Sequence, residues 1–215
     1  MSRRTVIAVA IALVLVCGAW YVSYGGFPVF WHGQRLIPTG SNSISLGRDD
    51  APVTVVEYAD FQCPSCATFH FGAGAAIIEQ YVKRGVVKMV YRDFPLLGQE
   101  SFDAAYAARC AREQGKYDAY RDELFEQTSK GAGENSGVFS VQNLMQYAER
   151  IGMNKNLFSG CLASGRARDE VATDIAAGSD AGVSGTPTVF VNGEKMEGLY
   201  LFAAYQQAIE KALAQ

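Results

Sequence analysis

The sequence predicts an α/β fold: a mixed central sheet flanked by helices, broken by an all-helical insertion and preceded by one apolar N-terminal helix. Three observations carry this reading. Strand-like and helix-like segments alternate over residues 52–91, which implies a right-handed crossover and a parallel strand pair. A long block of helical patterning follows, over residues 98–182. Strand character then returns and runs into Asn192-Gly193, the strongest short hairpin signal, so the closing strands pair antiparallel.

Residues 1–26 place Arg3 and Arg4 ahead of an apolar run closed by Trp20, Tyr21 and Tyr24. Residues 5–24 have about the length that crosses a bilayer. Arginines before the run and none just after it predict a cytoplasmic N-terminus and a domain outside, with the aromatic cluster as an interfacial belt. The rival is a cleaved signal peptide, for which Cys17-Gly18-Ala19 offers small residues. Bulky Val16 disfavours a lipid on Cys17. Residues 27–50, with Pro28, Gly33, Pro38 and Gly40, read as a surface linker with short extended pieces.

The globular domain is expected over 51–215. Its first strand, 52–58, is β-branched and bounded by acidic residues, as a buried strand is. Residues 66–82 have helical character, weakened in the middle by Gly72 and Gly74. A second strand over 86–91 stops at Asp93-Phe94-Pro95. Helices follow over 104–113, 117–126, 141–151, 155–162 and 168–177, with a loop at 131–137. Strands at 188–191 and 194–199 flank the Asn192-Gly193 turn, and a last helix covers 202–213.

Composition restricts function only loosely. The chain is 49% hydrophobic and 19% charged over 215 residues, enough for one well-cored domain. A net charge of −3 gives no basic field, which argues against a nucleic-acid partner.

The chemistry is concentrated at Cys63-Pro64-Ser65-Cys66, where the first strand meets the first helix. A helix N-terminus, with its unpaired N–H groups and positive dipole end, favours the thiolate of a cysteine placed there. Pro64 suits the first helical position because its missing N–H is no loss there. Cys66 lies one turn on, as a less exposed resolving thiol should. Zinc sites use paired Cys-x-x-Cys or Cys/His clusters, whereas this chain has one such pair and only His32 and His70, so zinc is the weaker reading and no metal or cofactor is expected. An inert structural disulfide across so short a loop gains little. Glu57, a carboxylate within an apolar strand, either holds a raised pKa and exchanges protons with Cys66 or reaches solvent at the strand end. Gly185-Thr186-Pro187-Thr188 opens the late strand with a proline, which belongs at a strand start or in a tight turn.

Val56-Glu57-Tyr58-Ala59-Asp60-Phe61-Gln62-Cys63-Pro64-Ser65-Cys66, Tyr91-Arg92-Asp93-Phe94-Pro95-Leu96, Gly182-Val183-Ser184-Gly185-Thr186-Pro187-Thr188 and Val191-Asn192-Gly193 together resemble the DsbA-like thiol–disulfide oxidoreductases. These are thioredoxin-fold proteins of the bacterial cell envelope with a helical insertion, and the resemblance spans about Ile44 to the C-terminus. It implies that Cys63 attacks and accepts, that Cys66 resolves, and that Pro187 is cis and faces the pair. Thr186 would offer its backbone to an extended substrate and its hydroxyl to the Cys63 sulfur, with Gly185, Pro64 and Ser65 beside it. Glu57 matches the buried acid of this fold.

Cys110 and Cys161 fall on separate helices of the insertion. An even remainder in an oxidising compartment suggests a structural disulfide, with buried free thiols or a second redox pair as alternatives. The expected activity is an envelope oxidase that gives its disulfide to cysteine-containing secreted or envelope proteins and is recycled by a membrane-bound redox partner. The segment between anchor and domain is too short for an added dimerisation domain, which argues against an isomerase. Thr186 keeps a reductase or isomerase open, and a redox-inactive peptide-binding chaperone is disfavoured by the intact cysteines.

Overall fold

The computed structural model describes residues 43–131, 133–197 and 201–215. The expected membrane anchor or signal helix, and the linker up to residue 42, lie outside the described residues. Among the described residues no helix is long and apolar enough to cross a membrane.

Five described strands form one sheet in the order β1-β3-β2-β4-β5. They are β1 (Ile44–Leu46), β2 (Val53–Ala59), β3 (Val87–Asp93), β4 (Thr188–Val191) and β5 (Glu194–Glu197). β2 and β3 run parallel, with Glu57 opposite Tyr91, while β1–β3, β2–β4 and β4–β5 are antiparallel. β2 is central, and its Val53, Val55 and Val56 are buried on its two faces, as a strand covered on both sides requires. Asn192 and Gly193 both take positive φ, 45° and 83°, the conformation a two-residue hairpin needs. Ile44–Leu46, read as linker from the sequence, is an edge strand on β3 with Ile44 buried. Three residues are too few for a period-two pattern to be visible.

The helix after β2, α1, covers 64–82. It is α-helical over Pro64–Phe69 and Ala75–Ile77 and opens into π turns at His70–Gly74 and Ile78–Val82. The glycines expected to weaken its middle fall in the first π turn. A Cβ on Gly74 would sit 3.0 Å from the Phe69 carbonyl oxygen, so a larger residue would crowd that turn.

Five helices form the insertion: α2 (Gln99–Arg112), α3 (Tyr117–Ser129), α4 (Val141–Arg150), α5 (Lys155–Ser164) and α6 (Arg166–Asp180). α2 starts five residues before the alanine-rich stretch that marks it in the sequence, because its first turn is polar. The chain closes with α7 (Phe202–Leu213). One hydrophobic core joins Val53, Val55 and Met89 of the sheet to α1, α7 and the insertion. A smaller one lies on the other face around Val56, Tyr58, Val90 and Phe190. There the C-terminal part of α6 comes so close that a Cβ on Gly178 would lie 2.8 Å from the Phe94 ring.

Two features tie the insertion down. Cys110 of α2 is disulfide-bonded to Cys161 of α5, with Cα atoms 5.7 Å apart. Four buried charges on β3, α2 and α6 form a cluster, which Arg109 extends to the half-buried Glu170 of α6 at 3.4 Å. Arg109 donates to Asp93 at 2.6 Å and to Asp174, Arg92 donates to Asp174, and the Asp93 N–H donates to Asp174 at 3.1 Å. Buried charges are tolerated only when paired in this way.

Candidate active site

β2 ends at Ala59, and four residues carry the chain into α1. Asp60 shapes this loop. Its buried carboxylate accepts from the N–H groups of Gln62 at 2.8 Å, Leu96 at 2.7 Å and Leu97 at 3.0 Å, and its carbonyl accepts from Cys63 N–H at 3.1 Å. Cys63 then caps α1 in an extended conformation, with Pro64 at the first helical position. Its carbonyl accepts from Cys66 and Ala67, so its side chain sits over the open N–H end of the helix.

Cys63 is 8% exposed and Cys66 fully buried; both are present as thiols. The Cys63 thiol is lowered from 9.0 to about 6. The Cys66 thiol donating to its sulfur contributes most and burial opposes it, while Thr186 and the N–H groups of Cys66 and Ser65 add to the lowering. Burial pushes Cys66 well above the ordinary thiol value, and the hydrogen bond with Cys63, the Cys63 charge and then Glu57 push further the same way. The pair is therefore polarised, with Cys63 the readier to ionise and Cys66 held as a thiol behind it.

The loop before β4 closes the other side. The Thr186–Pro187 peptide is cis, and the Cys63 thiol donates to the Thr186 carbonyl at 3.3 Å. Pro187 is buried, Gly185 and Thr186 half-buried, and Thr188 Oγ1 donates to the Gly185 carbonyl at 2.7 Å. Pro64 is exposed and Ser65 half-buried on the helix side. Cys63, Pro64, Ser65, Thr186 and Pro187 thus meet in one place.

Glu57 is fully buried and does not reach solvent. It occupies the same face of β2 as Val53 and Val55, toward α1 and α3. Oε2 accepts from Arg121 of α3 at 2.6 Å, and Oε1 has no hydrogen-bond partner among the described residues. The Arg121 guanidinium lies 4.1 Å from the centre of the Tyr91 ring. His70, one turn beyond Cys66, turns away from the cysteines. Its Nδ1 faces Arg121 at 2.5 Å and its Nε2 faces Asp122 at 2.7 Å.

Sequence reasoning missed the residues that reach the motif from the insertion. Gln62 donates to the Leu97 carbonyl and to Ser101, and accepts from Asn135 N–H. Thr128 donates to the Phe61 carbonyl. A groove of about 450 Å³ opens beside Pro64, lined by Gln62, Thr128, Gly131, Val138 and Phe139 among others. Only the adjacency of Asp60 and Gln62 to Cys63 marked any of these residues in the sequence.

A central parallel pair extended by an antiparallel hairpin, with a polarised Cys-x-x-Cys at the first helix start opposite a cis-proline loop, defines a thioredoxin-fold protein. Residues 39–211 match the family described as Thioredoxin. The chain is 30% identical over 176 residues to a probable disulfide bond formation protein D of Bacillus anthracis, covering 80% of this chain and 79% of that one. It is similar in structure to oxidised BdbD of Bacillus subtilis, with a TM-score of 0.72 and 25% identity over 81% of this chain and 94% of that one. The chain belongs to the DsbA-like thiol–disulfide oxidoreductases. It is also 36% identical over 170 residues to a Na(+)/H(+) antiporter NhaA 3 of Salinispora tropica; the match covers 78% of this chain and 24% of the antiporter, so the chain spans about a quarter of that relative.

Proposed function

We infer that this protein is an extracytoplasmic thiol–disulfide oxidoreductase that introduces disulfides into cysteine-containing secreted or envelope proteins through Cys63 and Cys66. A substrate thiolate attacks Cys63 of the Cys63–Cys66 disulfide, the ring bond breaks, and the electron pair leaves on Cys66, which takes up a proton. A second substrate thiolate then attacks the substrate sulfur of the mixed disulfide. The new substrate disulfide forms and Cys63 departs as a thiolate. Two electrons pass from the substrate to the protein, and a membrane-bound redox partner takes them on.

The observation that carries this direction is the Cys63 thiol lowered to about 6. A stabilised thiolate is a good leaving group and lowers the free energy of the dithiol form, which makes the disulfide oxidising. The Glu57 Oε1, without a partner among the described residues, supports its role as proton acceptor and donor for Cys66. The Thr186 carbonyl beside Cys63 supports strand-like pairing of substrate backbone along Gly185, Thr186 and Pro187, with Pro64 and Ser65 on the opposite rim.

In this reading residues 1–26 anchor the chain in the cytoplasmic membrane through residues 5–24, and the domain, whose first described strand is β1 at Ile44–Leu46, works outside, with a helical insertion at about 98–182. The test is the redox potential of the pair, read by glutathione titration, together with oxidation of a reduced unfolded substrate. The expected result is a potential above the poise of the envelope and activity lost in Cys63→Ala. A potential far below that poise rejects the oxidase direction, and activity retained in Cys63→Ala rejects the mechanism.

A further inference from the structure

Behind Cys66, four side chains from three elements form a line to the surface. Glu57 of β2 accepts from Arg121 of α3 at 2.6 Å, Arg121 faces His70 Nδ1 of α1 at 2.5 Å, and His70 Nε2 faces Asp122 at 2.7 Å. Glu57, Arg121 and His70 are buried, while the Asp122 side chain is 63% exposed. The guanidinium has only N–H groups to offer, so the Nδ1 it meets must be the bare nitrogen. The hydrogen of His70 is thereby assigned to Nε2, where it is donated to Asp122.

We propose that His70 is a positioning residue for the exchange reaction: its bare Nδ1 holds the Arg121 guanidinium on Glu57 behind the Cys66 thiol, and a second proton on the ring undoes that hold. Protonated, Nδ1 becomes a donor pointed at the N–H of a cation, and the pair loses its hydrogen bond. With Arg121 displaced, the Glu57 carboxylate is no longer held in position behind Cys66, the buried thiol that must give up its proton to close the ring. The charged groups facing the ring are Arg121, Asp118 and Asp122 of α3 and, beyond Arg121, Glu57 of β2; its other contacts are the rings of Phe71 on its own helix and Phe125 on α3.

This inference rests on the assignment of Cys63 and Cys66 to disulfide exchange, and the test separates the two. The full chain is reduced and mixed with oxidised glutathione. The Cys63 thiolate displaces one glutathione thiolate. Cys66 then gives up its proton and displaces the second, closing the Cys63–Cys66 bond while two electrons pass to the two glutathione molecules. Acid quenching and mass spectrometry give the closing rate across pH for wild type, His70→Ala and His70→Asn, the last keeping an acceptor near the Nδ1 position without a titrating ring. At neutral pH His70→Ala should close roughly three- to tenfold more slowly, the scale of one lost hydrogen bond. His70→Asn should keep the wild-type rate. Wild type should fall toward the His70→Ala rate at acid pH through an inflection that His70→Asn lacks. Equal or faster closing by His70→Ala overturns the proposal, as does the same inflection in His70→Asn. If His70→Ala does not fold, the comparison of wild type with His70→Asn decides alone. Absence of any mixed disulfide at Cys63 in wild type would instead overturn the exchange assignment itself.

Discussion

Replacing Cys66 by alanine removes the thiol that donates to the Cys63 sulfur, the largest single contribution to its lowered value. A hydrogen bond to a charged group is worth about 1.5–3 kcal/mol. A thiol is a weak donor, which moves the effect toward the lower end. About 1.4 kcal/mol corresponds to one pH unit, so Cys63 in Cys66→Ala should titrate roughly one unit higher than in wild type, near pH 7 rather than about 6. The assay is the rate of iodoacetamide alkylation against pH, with thiolate absorbance in the ultraviolet as a second reading. The sign also fixes a stability window. A thiol lowered on folding adds stability to the reduced protein that is fully present above the ordinary 9.0 and lost as pH falls through about 6. Cys66, raised on folding, works the other way: its contribution is present below 9.0 and lost on going alkaline. The reduced form should therefore gain on the oxidised form between about pH 6 and 9 in wild type, and gain less in Cys66→Ala. An alkylation profile for Cys66→Ala that superposes on wild type would refute the reasoning, because the lowering would then have to come from Thr186 and the helix end without the Cys66 thiol.

Two further outcomes concern the scaffold. Arg121→Met leaves the Glu57 carboxylate buried and unpaired, which should cost about 3–5 kcal/mol in urea denaturation, whereas adding Glu57→Gln should recover most of the loss; a single-variant cost below about 1 kcal/mol would refute a buried ion pair at this position. Cys110→Ala with Cys161→Ala opens a bridge between positions 51 residues apart and should lower stability by about 4 kcal/mol in the chain-entropy treatment, measured by the same denaturation; an unchanged midpoint would place those sulfurs outside any bond in solution.

What could be read in advance was whatever rests on local chemistry. Asn192-Gly193 announced its hairpin because a tight turn needs positive φ at two adjacent residues, and Cys63-Pro64-Ser65-Cys66 announced itself because spacing and proline placement are sequential properties. What stayed hidden is long-range. Arg121 lies 64 residues from Glu57 and, within the alternating polar and apolar residues of α3, reads as an ordinary surface arginine. Gln62 looks like a polar loop residue until Leu97, Ser101 and Asn135 are brought around it. The acidic and basic residues at 92, 93, 109 and 174 likewise suggest solvent, and only folding buries them together. A solvent-reaching Glu57 was an open option because the chain does not reveal which cation will cover it.

The clamping of residues 60–63 bears on modularity. Backbone and side-chain tethers hold this short loop, and those from Thr128, Asn135 and Ser101 come from the insertion. The insertion is thus part of the frame on which the dithiol is mounted, so the motif is not a transplantable cassette. Grafting Cys-Pro-Ser-Cys onto a thioredoxin-fold host without an equivalent helical block would transfer the letters but leave behind the tethers that hold the loop in place.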